Sequence, residues 1–414
     1  MTFLGLLRLS FVPLALASAC FAIVPRATAL EVKGLAQLSF VDGDSKTSFI
    51  NSGTGILRYD GGSAELSQGV LELTQDFDGG LTASATFNAF SDGDLHVGLT
   101  QALVDWKPLS ANAVRFKGRA GFFYPRMSAE NTDIGWLSPY TYTPSAINSW
   151  IGEEMRIAGL EATLFSPGRS RRSPWSWEIN TAVYGGNDPA GSILSWRGFA
   201  LHARQSLHHD RLQFAPLPSV IPPSTVSGPA WVEPFHEIDG RLGGYIGAHL
   251  RRASGPDLRV YYYDNNGNPN ELNSDRLYAW DTRFWSLAYA HEFRPGWTLL
   301  GQWMVGESHM GDALVDIDFD AHYVMLSHAS GRHRWTLRYD GFDVDETDAY
   351  PKDPNNSDGS AWTAAWRYTP RKDLEVGVEY LDTRNSAANR PTVGEPINAR
   401  QQQLLFSLQY RFGG

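Results

Sequence analysis

The sequence predicts an all-β fold: a transmembrane antiparallel up-and-down β-barrel with a long loop folded into its lumen. Three observations carry that expectation. Segments of about ten residues alternate apolar and polar side chains, as the half-apolar wall of a membrane barrel requires. The connections between these segments alternate between short and long. The chain closes on Gln402–Phe412, an amphipathic segment that ends in an aromatic residue. Counting every segment gives eighteen strands, and losing one hairpin gives sixteen; either number closes a barrel evenly.

Residues 1–29 read as an export leader, with Arg8 in a short basic region, an apolar stretch around Leu9–Val24 and Ala27-Thr28-Ala29 as the small-residue cleavage site. The mature chain, 30–414, is the barrel. The single Cys20 lies within the leader, so no disulfide framework is available. Beyond Leu30 no apolar run is long enough for a helical span, which needs about 18 residues. The composition, with 40 Gly, 14 Trp, 17 Tyr and 21 Phe, suits aromatic girdles around a wet interior. Without the leader's Arg8 and Arg26, the 35 basic residues fall to 33 against 45 acidic ones, a net charge of −12 in place of −10. Such acidity argues against binding nucleic acid.

Glu31–Val41 opens the wall, with Val32, Gly34, Ala36, Leu38 and Phe40 on one face; Leu66–Phe77 follows. Asp78-Gly79-Gly80 is a hairpin signal into Leu81–Phe90, and Val97–Trp106 returns. Val114–Phe123 then alternates strictly: Val114, Phe116, Gly118, Ala120 and Phe122 oppose Arg115, Lys117 and Arg119. Three charges on one row cannot enter a dry core, so that row faces a polar lumen. Tyr124–Glu154 is too long for a turn and rich in Pro, Trp, Tyr and Ile, residues that need protein to pack against. It is the candidate constriction loop. Met155–Phe165, Trp175–Gly185 and Arg197–His208 continue the pattern. Phe214–Pro234 holds six prolines, which leaves only a weak strand at Arg211–Phe214. Regular alternation resumes at Arg241–Arg252 and runs through Asp257–Tyr263, Thr282–Phe293, Trp297–Gly306, Phe319–Ser327, His333–Phe342, Ala361–Thr369, Leu374–Asp382 and Gln402–Phe412. Short connections such as Arg294–Gly296 and Pro370–Asp373 alternate with long ones such as Asp42–Glu65, Glu307–Asp318 and Asp343–Ser360.

The candidate chemistry is electrostatic. Arg115, Lys117 and Arg119, with Arg126, Glu130 and Arg156 at the loop, are the selectivity candidates, because charged rings in a low-dielectric wall sort permeants by sign. Arg204, Arg241, Arg251, Arg259, Arg334, Arg338, Arg367 and Arg411 take the inward phase. The plainer reading is that these cations pair across the lumen with Glu72, Glu161, Glu178, Glu375 and Glu379. Trp136, Tyr140, Tyr142 and Trp150 offer a competing role, a stacking path for sugars or aromatic acids, against girdle and loop-pinning roles. Acid runs at Asp312–Asp318 and Asp343–Asp348 lack metal-site spacing, and no metal or cofactor is assigned. Ser206-Leu207-His208-His209-Asp210 contains hydrolase residue types without an elbow or oxyanion signal, so an enzyme is not expected. Strands that begin directly after the leader leave no room for a plug domain.

With these features in place, the chain resembles a Gram-negative porin. Arg115–Phe123 leading into Tyr124-Pro125 and Ser128-Ala129-Glu130 is similar in layout to the phosphate-selective O and P porins, where a basic strand enters a loop with a proline and a glutamate. Elsewhere the likeness is barrel pattern only, and no coiled-coil segment follows the leader as it does in some of that group. The terminal strand resembles the outer-membrane targeting strand, with Gly413-Gly414 added after the aromatic. The resemblance implies passive diffusion of small solutes with anion preference across the bacterial outer membrane. A non-conducting structural or adhesion barrel is the alternative. Expected partners are outer-membrane lipid, lipopolysaccharide, small solutes and, as a homotrimer, further copies of the chain.

Overall fold

The computed structural model describes residues 27–44, 46–220, 228–350 and 353–413; most of the expected leader, Cys20 included, lies outside them. Sixteen antiparallel strands form one closed barrel. They are β1 Glu31–Gly43, β2 Ser63–Phe77, β3 Leu81–Ala89, β4 Val97–Trp106, β5 Arg115–Phe123, β6 Ile157–Ser166, β7 Trp175–Gly185 and β8 Gly243–Arg252, then β9 Asp257–Asp264, β10 Asp281–Arg294, β11 Trp297–Met310, β12 Val315–Ser330, β13 His333–Glu346, β14 Ser357–Arg371, β15 Leu374–Ala387 and β16 Asn398–Phe412. Closure is made by β1 on β16, from Gly34 opposite Phe412 to Gly43 opposite Gln403.

The expected eighteen strands are therefore corrected to sixteen, and the lost hairpin is Arg197–His208 with Arg211–Phe214. β7 pairs directly with β8, leaving the chain between them out of the wall. A wall strand must give alternate side chains to lipid. Residues 198–207 alternate in sequence, yet all but half-buried Ala203 are buried, because this stretch runs inside the barrel. It follows α2, Ser192–Arg197, and touches Ile56–Leu57 through a bridge at Leu201. Leu212–Gln213 forms only a two-residue ladder with Trp231–Val232. The expected long connection Glu307–Asp318 is also shorter, since β11 and β12 stay paired out to Met310 and Val315.

The alternation decides which face meets which medium. Leu38, Phe40, Leu160, Leu164, Ile246, Trp285, Val324 and Trp362 are exposed around the outside, whereas Leu300, Met304, Tyr323 and Met325 are fully buried. An apolar belt of this kind turns from a liability into the stabilising surface once the medium is lipid. β5 is paired to β4 only from Gly118 to Phe122. At Gly121 the backbone turns to φ +134, and a Cβ there would lie 2.2 Å from the Ala102 carbonyl; β5 parts from β4 after Phe122 while staying paired to β6 as far as Phe123. The backbone of β4 above that point is met instead by the internal segment, with His208 N donating to Leu99 O at 2.9 Å.

Candidate functional site: a lumen divided by two internal segments

The chain between β5 and β6 enters the barrel and crosses it. It contains α1, Ala146–Glu154, every residue of which is buried. Its far end is held by strands on the opposite wall. Glu379 of β15 accepts from Tyr142 N at 2.6 Å and Thr143 N at 2.9 Å, and Asp340 of β13 accepts from Ala146 N at 3.1 Å. In a sixteen-stranded ring β13 stands eight places from β5, so the loop spans the lumen.

Glu130 organises that crossing. Its carboxylate accepts from Ser145 Oγ at 2.7 Å and Asn148 Nδ2 at 2.8 Å, at the N-terminus of α1, where the helix dipole favours a negative charge. Arg338 of β13 reaches it at 3.1 Å, and also binds Asp340 at 2.7 Å and the carbonyls of Thr143 and Pro144. Arg338, Glu130 and Asp340 are all fully buried, so each depends on the others for neutralisation.

α1 is packed from the other side by the second internal segment. Trp150, with no exposure, meets the rings of Phe199, Phe284 and Phe319. Glu154 accepts from Gly191 N, Ser192 Oγ and Ile193 N at the start of α2 and from Trp150 Nε1. Glu153 takes Arg197 and lies beside His202. Burial pushes the Glu154 carboxyl up to about 7. Burial raises Glu153 too, but Arg197 and His202 outweigh it and hold that group down at about 2. Burial lowers His202 from its usual value.

These shifts give a pH dependence with a defined sign. Glu154 lies above its ordinary 4.5 in the folded chain, so its contribution is complete below 4.5 and is lost as pH rises through about 7. His202 acts oppositely, contributing above its ordinary 6.5 and losing this as pH falls, and Glu153 contributes in full above its ordinary 4.5 and loses this as pH falls toward about 2. Substituting Glu154→Gln isolates the first effect: an amide keeps only one acceptor oxygen for the four donors, so E154Q loses hydrogen bonds at every pH, but its stability relative to the native protein should be better at pH 8 than at pH 5. The temperature at which the folded band shifts on a gel measures this; equal effects at both pH values would reject it.

The basic row of β5 faces inward but is mostly neutralised. Arg119 is bidentate to Glu161 of β6 at 2.9 Å, and Lys117 binds Glu178 of β7 at 2.7 Å. Arg115 sits near the short turns against Asn112 O and Ser170 Oγ. Arg126, half-exposed, is 3.5 Å from Asp105. Arg156 is fully buried, donates to Thr100 O and Ser206 O, and lies over the rings of Phe235, Tyr124 and Phe122. The loop aromatics are engaged as well. Trp136 is stacked on Tyr124 at 4.2 Å, Tyr140 lies under Arg334 and Tyr142 under Arg367, while Trp150 is wholly in the core. Of the hydrolase-type run, Ser206 is fully buried and Asp210 is bound to Arg204 at 2.7 Å. The acid runs bring no three carboxylates together among the described residues; Asp188, Glu237 and Asp239 do lie within 4.8 Å, with Asp188 and Asp239 occupied by backbone N–H groups.

Spaces on two sides of the crossing loop bear on permeation. A slot of about 20 Å³ lies between it and the β16–β1 wall, lined by Gln37, Gln409, Asn148, Ser149 and His202 among others. A vestibule of about 520 Å³ at the short-turn end is lined by Arg332, Arg334, Arg367, Arg371, Lys372 and Arg411 against Asp133 and Glu375. Ser138 and Gln409 line the slot; Pro139 and Arg411, one and two residues on, line the vestibule. Sequence reasoning missed the neutral stretch of wall, although the inward phase of β1 and β16 carries Gln37, Ser39, Gln403, Ser407 and Gln409, with the charges of Lys33 and Arg411 only at the short-turn end.

A closed sixteen-stranded barrel with an apolar outer belt and a chain segment crossing its lumen defines the class as a membrane-spanning porin-type barrel. No family model matches the sequence, and no curated protein does. Solved structures do match. An anion-selective porin from Comamonas acidovorans is 12% identical, covering 94% of this chain and 100% of its own, with a TM-score of 0.54. The trimer form of OmpT, an outer membrane protein of Vibrio cholerae, is 9% identical over 93% and 99%, with a TM-score of 0.54. The outer membrane channel DcaP of Acinetobacter baumannii is 10% identical over 93% and 97%, with a TM-score of 0.52. The chain thus has the fold of the outer-membrane porins, as a distant structural relative.

Proposed function

We propose that the protein is a passive-diffusion porin for small hydrophilic solutes, with a modest preference for anions. The observation that carries this reading is the polar slot left by the crossing loop beside a vestibule in which six cationic side chains face two carboxylates. Fixed charge near the narrowest point governs ion permeation, because a Debye length of about 8 Å at physiological salt hides distant loop carboxylates. The anion-selective porin of similar fold supports the sign. The buried Ser206 and the engaged Asp210 support a non-enzymatic role. Assembly as a homotrimer fits the trimeric OmpT and the run of small outward side chains on β3 to β6, Ala83, Ala85, Ala102, Ala120 and Ala162.

Purified protein in a planar bilayer should give stepwise open-channel current, which a purely structural or adhesive barrel would not. In a KCl gradient the zero-current potential should have the sign of modest anion preference. Replacing Arg115, Lys117 and Arg119 by Gln should move that potential toward cations, since it removes three charges and also leaves Glu161 and Glu178 without their cationic partners. A native pore that already prefers cations would reverse the assignment of sign.

A further inference from the structure

On the outer wall, a hollow of about 610 Å³ opens over β11 to β15 near the short turns. It is bordered by one cross-strand row, Trp297, His328, Trp335 and Trp366, each directly opposite the next. In the adjoining row Ala364 stands exposed between Leu337 and Tyr380. A methyl group among larger side chains leaves a pit in a face that is otherwise filled. The volume lies within the range of about 300–1,000 Å³ found for pockets that hold small molecules.

Polar atoms are interleaved with these rings. His328 stacks on Trp297 at 4.2 Å and on Trp335 at 5.9 Å, and its buried Nδ1 has no partner in the protein. His333 stacks on Tyr368 at 4.6 Å and accepts from Trp366 Nε1 at 3.3 Å. A neutral His333 therefore carries its hydrogen on Nε2, which donates to no described residue. Each of the three adjoining turns adds an exposed cation with no carboxylate in reach among the described residues. These are Arg294, directly opposite Trp297, Arg332, which donates to Pro370 O at 2.9 Å, and Lys372. The acids of the same turns are engaged, Glu292 by Gly296 N and Asp373 by Arg371.

We propose that this hollow seats an anionic glycerophospholipid of the periplasmic leaflet, with an acyl chain over Ala364 and the phosphate at the rim formed by Arg294, Arg332 and Lys372. A free anion would find the cations but gain nothing from the hollow, and a hydrocarbon chain alone would fill the hollow but gain nothing from the cations. A lipid with an anionic head satisfies both. Short turns mark the periplasmic end of such a barrel, aromatic rings lie at headgroup level there, and basic side chains at that level attract anionic heads. A second copy of the chain is the other candidate for an apolar hollow. Its contact was assigned above to the small side chains of β3 to β6, and β12 and β13 stand eight places from β4 and β5, across the ring. In that assembly the hollow faces lipid. The inference concerns the outer wall and goes beyond the permeation reading, on which it does not depend.

The test places the refolded full-length protein in phosphatidylcholine bilayers containing a minor fraction of phosphatidylglycerol, with bromine on the acyl chains of one lipid or the other. Tryptophan fluorescence is the readout, because Trp297, Trp335 and Trp366 border the hollow. Brominated phosphatidylglycerol should quench beyond its mole fraction. In Arg294→Gln with Arg332→Gln and Lys372→Gln its association relative to phosphatidylcholine should fall about tenfold or more, since each cation at a membrane surface contributes about fivefold. Ala364→Phe fills the pit and leaves every charge in place, so it should remove the preference without changing KCl conductance. Heat-modifiable mobility verifies folding, and Ala364→Leu serves if the Phe variant does not fold. Equal quenching by the two lipids overturns the inference, as does a preference that survives either set of substitutions. Loss of a trimer band in Ala364→Phe with lipid preference unchanged assigns the hollow to a second copy and overturns it too. A folded barrel that keeps the preference but passes no KCl supports the lipid site and overturns the porin reading alone.

Discussion

Deleting Ile134–Ser149 should raise single-channel conductance several-fold. The deletion removes Trp136, Ser138, Thr141, Tyr142, Asn148 and Ser149, which form one side of the slot, together with the first half of α1. What then limits current is the second internal segment and the wall, and a sixteen-stranded wall is wide enough to leave an aqueous channel. The barrel should survive, because its closure depends on the β1–β16 ladder and not on the loop. The temperature of band shift should fall, since Trp150 loses its helix and Glu379 loses both backbone donors at Tyr142 and Thr143. An intact barrel with unchanged conductance would show that solutes pass elsewhere.

Replacing Arg338 by Met should have the largest effect of any single substitution. It leaves Glu130 and Asp340 buried with no cation in reach, and breaking a buried charge network from one side costs about 3–5 kcal/mol. It also frees the carbonyls of Thr143 and Pro144, the point at which the loop meets the far wall. The loss should appear as a lower band-shift temperature and as conductance flicker from a loosened loop. Adding Glu130→Gln and Asp340→Asn should restore part of the stability, because the stranded charges are then gone and only the hydrogen bonds are missing. If the triple variant is no better than R338M, the cost lies in packing and not in charge.

The barrel was legible because its cause is local. A residue in a membrane wall sees lipid or lumen according to its parity alone, so Val32 to Phe40, Val114 to Phe122 and Leu404 to Phe412 announce their strands without any knowledge of neighbours. The same logic misled at Arg197–His208. Alternation marks an extended chain, but it does not say whether the far side is lipid or another protein segment, and here both faces are covered. That misreading added the seventeenth and eighteenth strands.

Charge was legible as residue type and not as field. Arg119 and Lys117 read either as selectivity cations or as partners of luminal glutamates, and the register of β5, β6 and β7 brings Glu161 and Glu178, 42 and 61 residues away, against them. Trp136 and Tyr142 likewise read either as a stacking path or as loop pins, and each has a ring face taken within the protein, by Tyr124 and by Arg367. The sequence by itself determined the medium: an alternating wall, an apolar outer face, and a loop too apolar to stay in water. Only the tertiary structure decided what lies within, because the closure of sixteen strands brings β13 and β15 opposite β5, and only then do Arg338, Glu379 and the amides of Gln37 and Gln409 meet the chain that crosses between them.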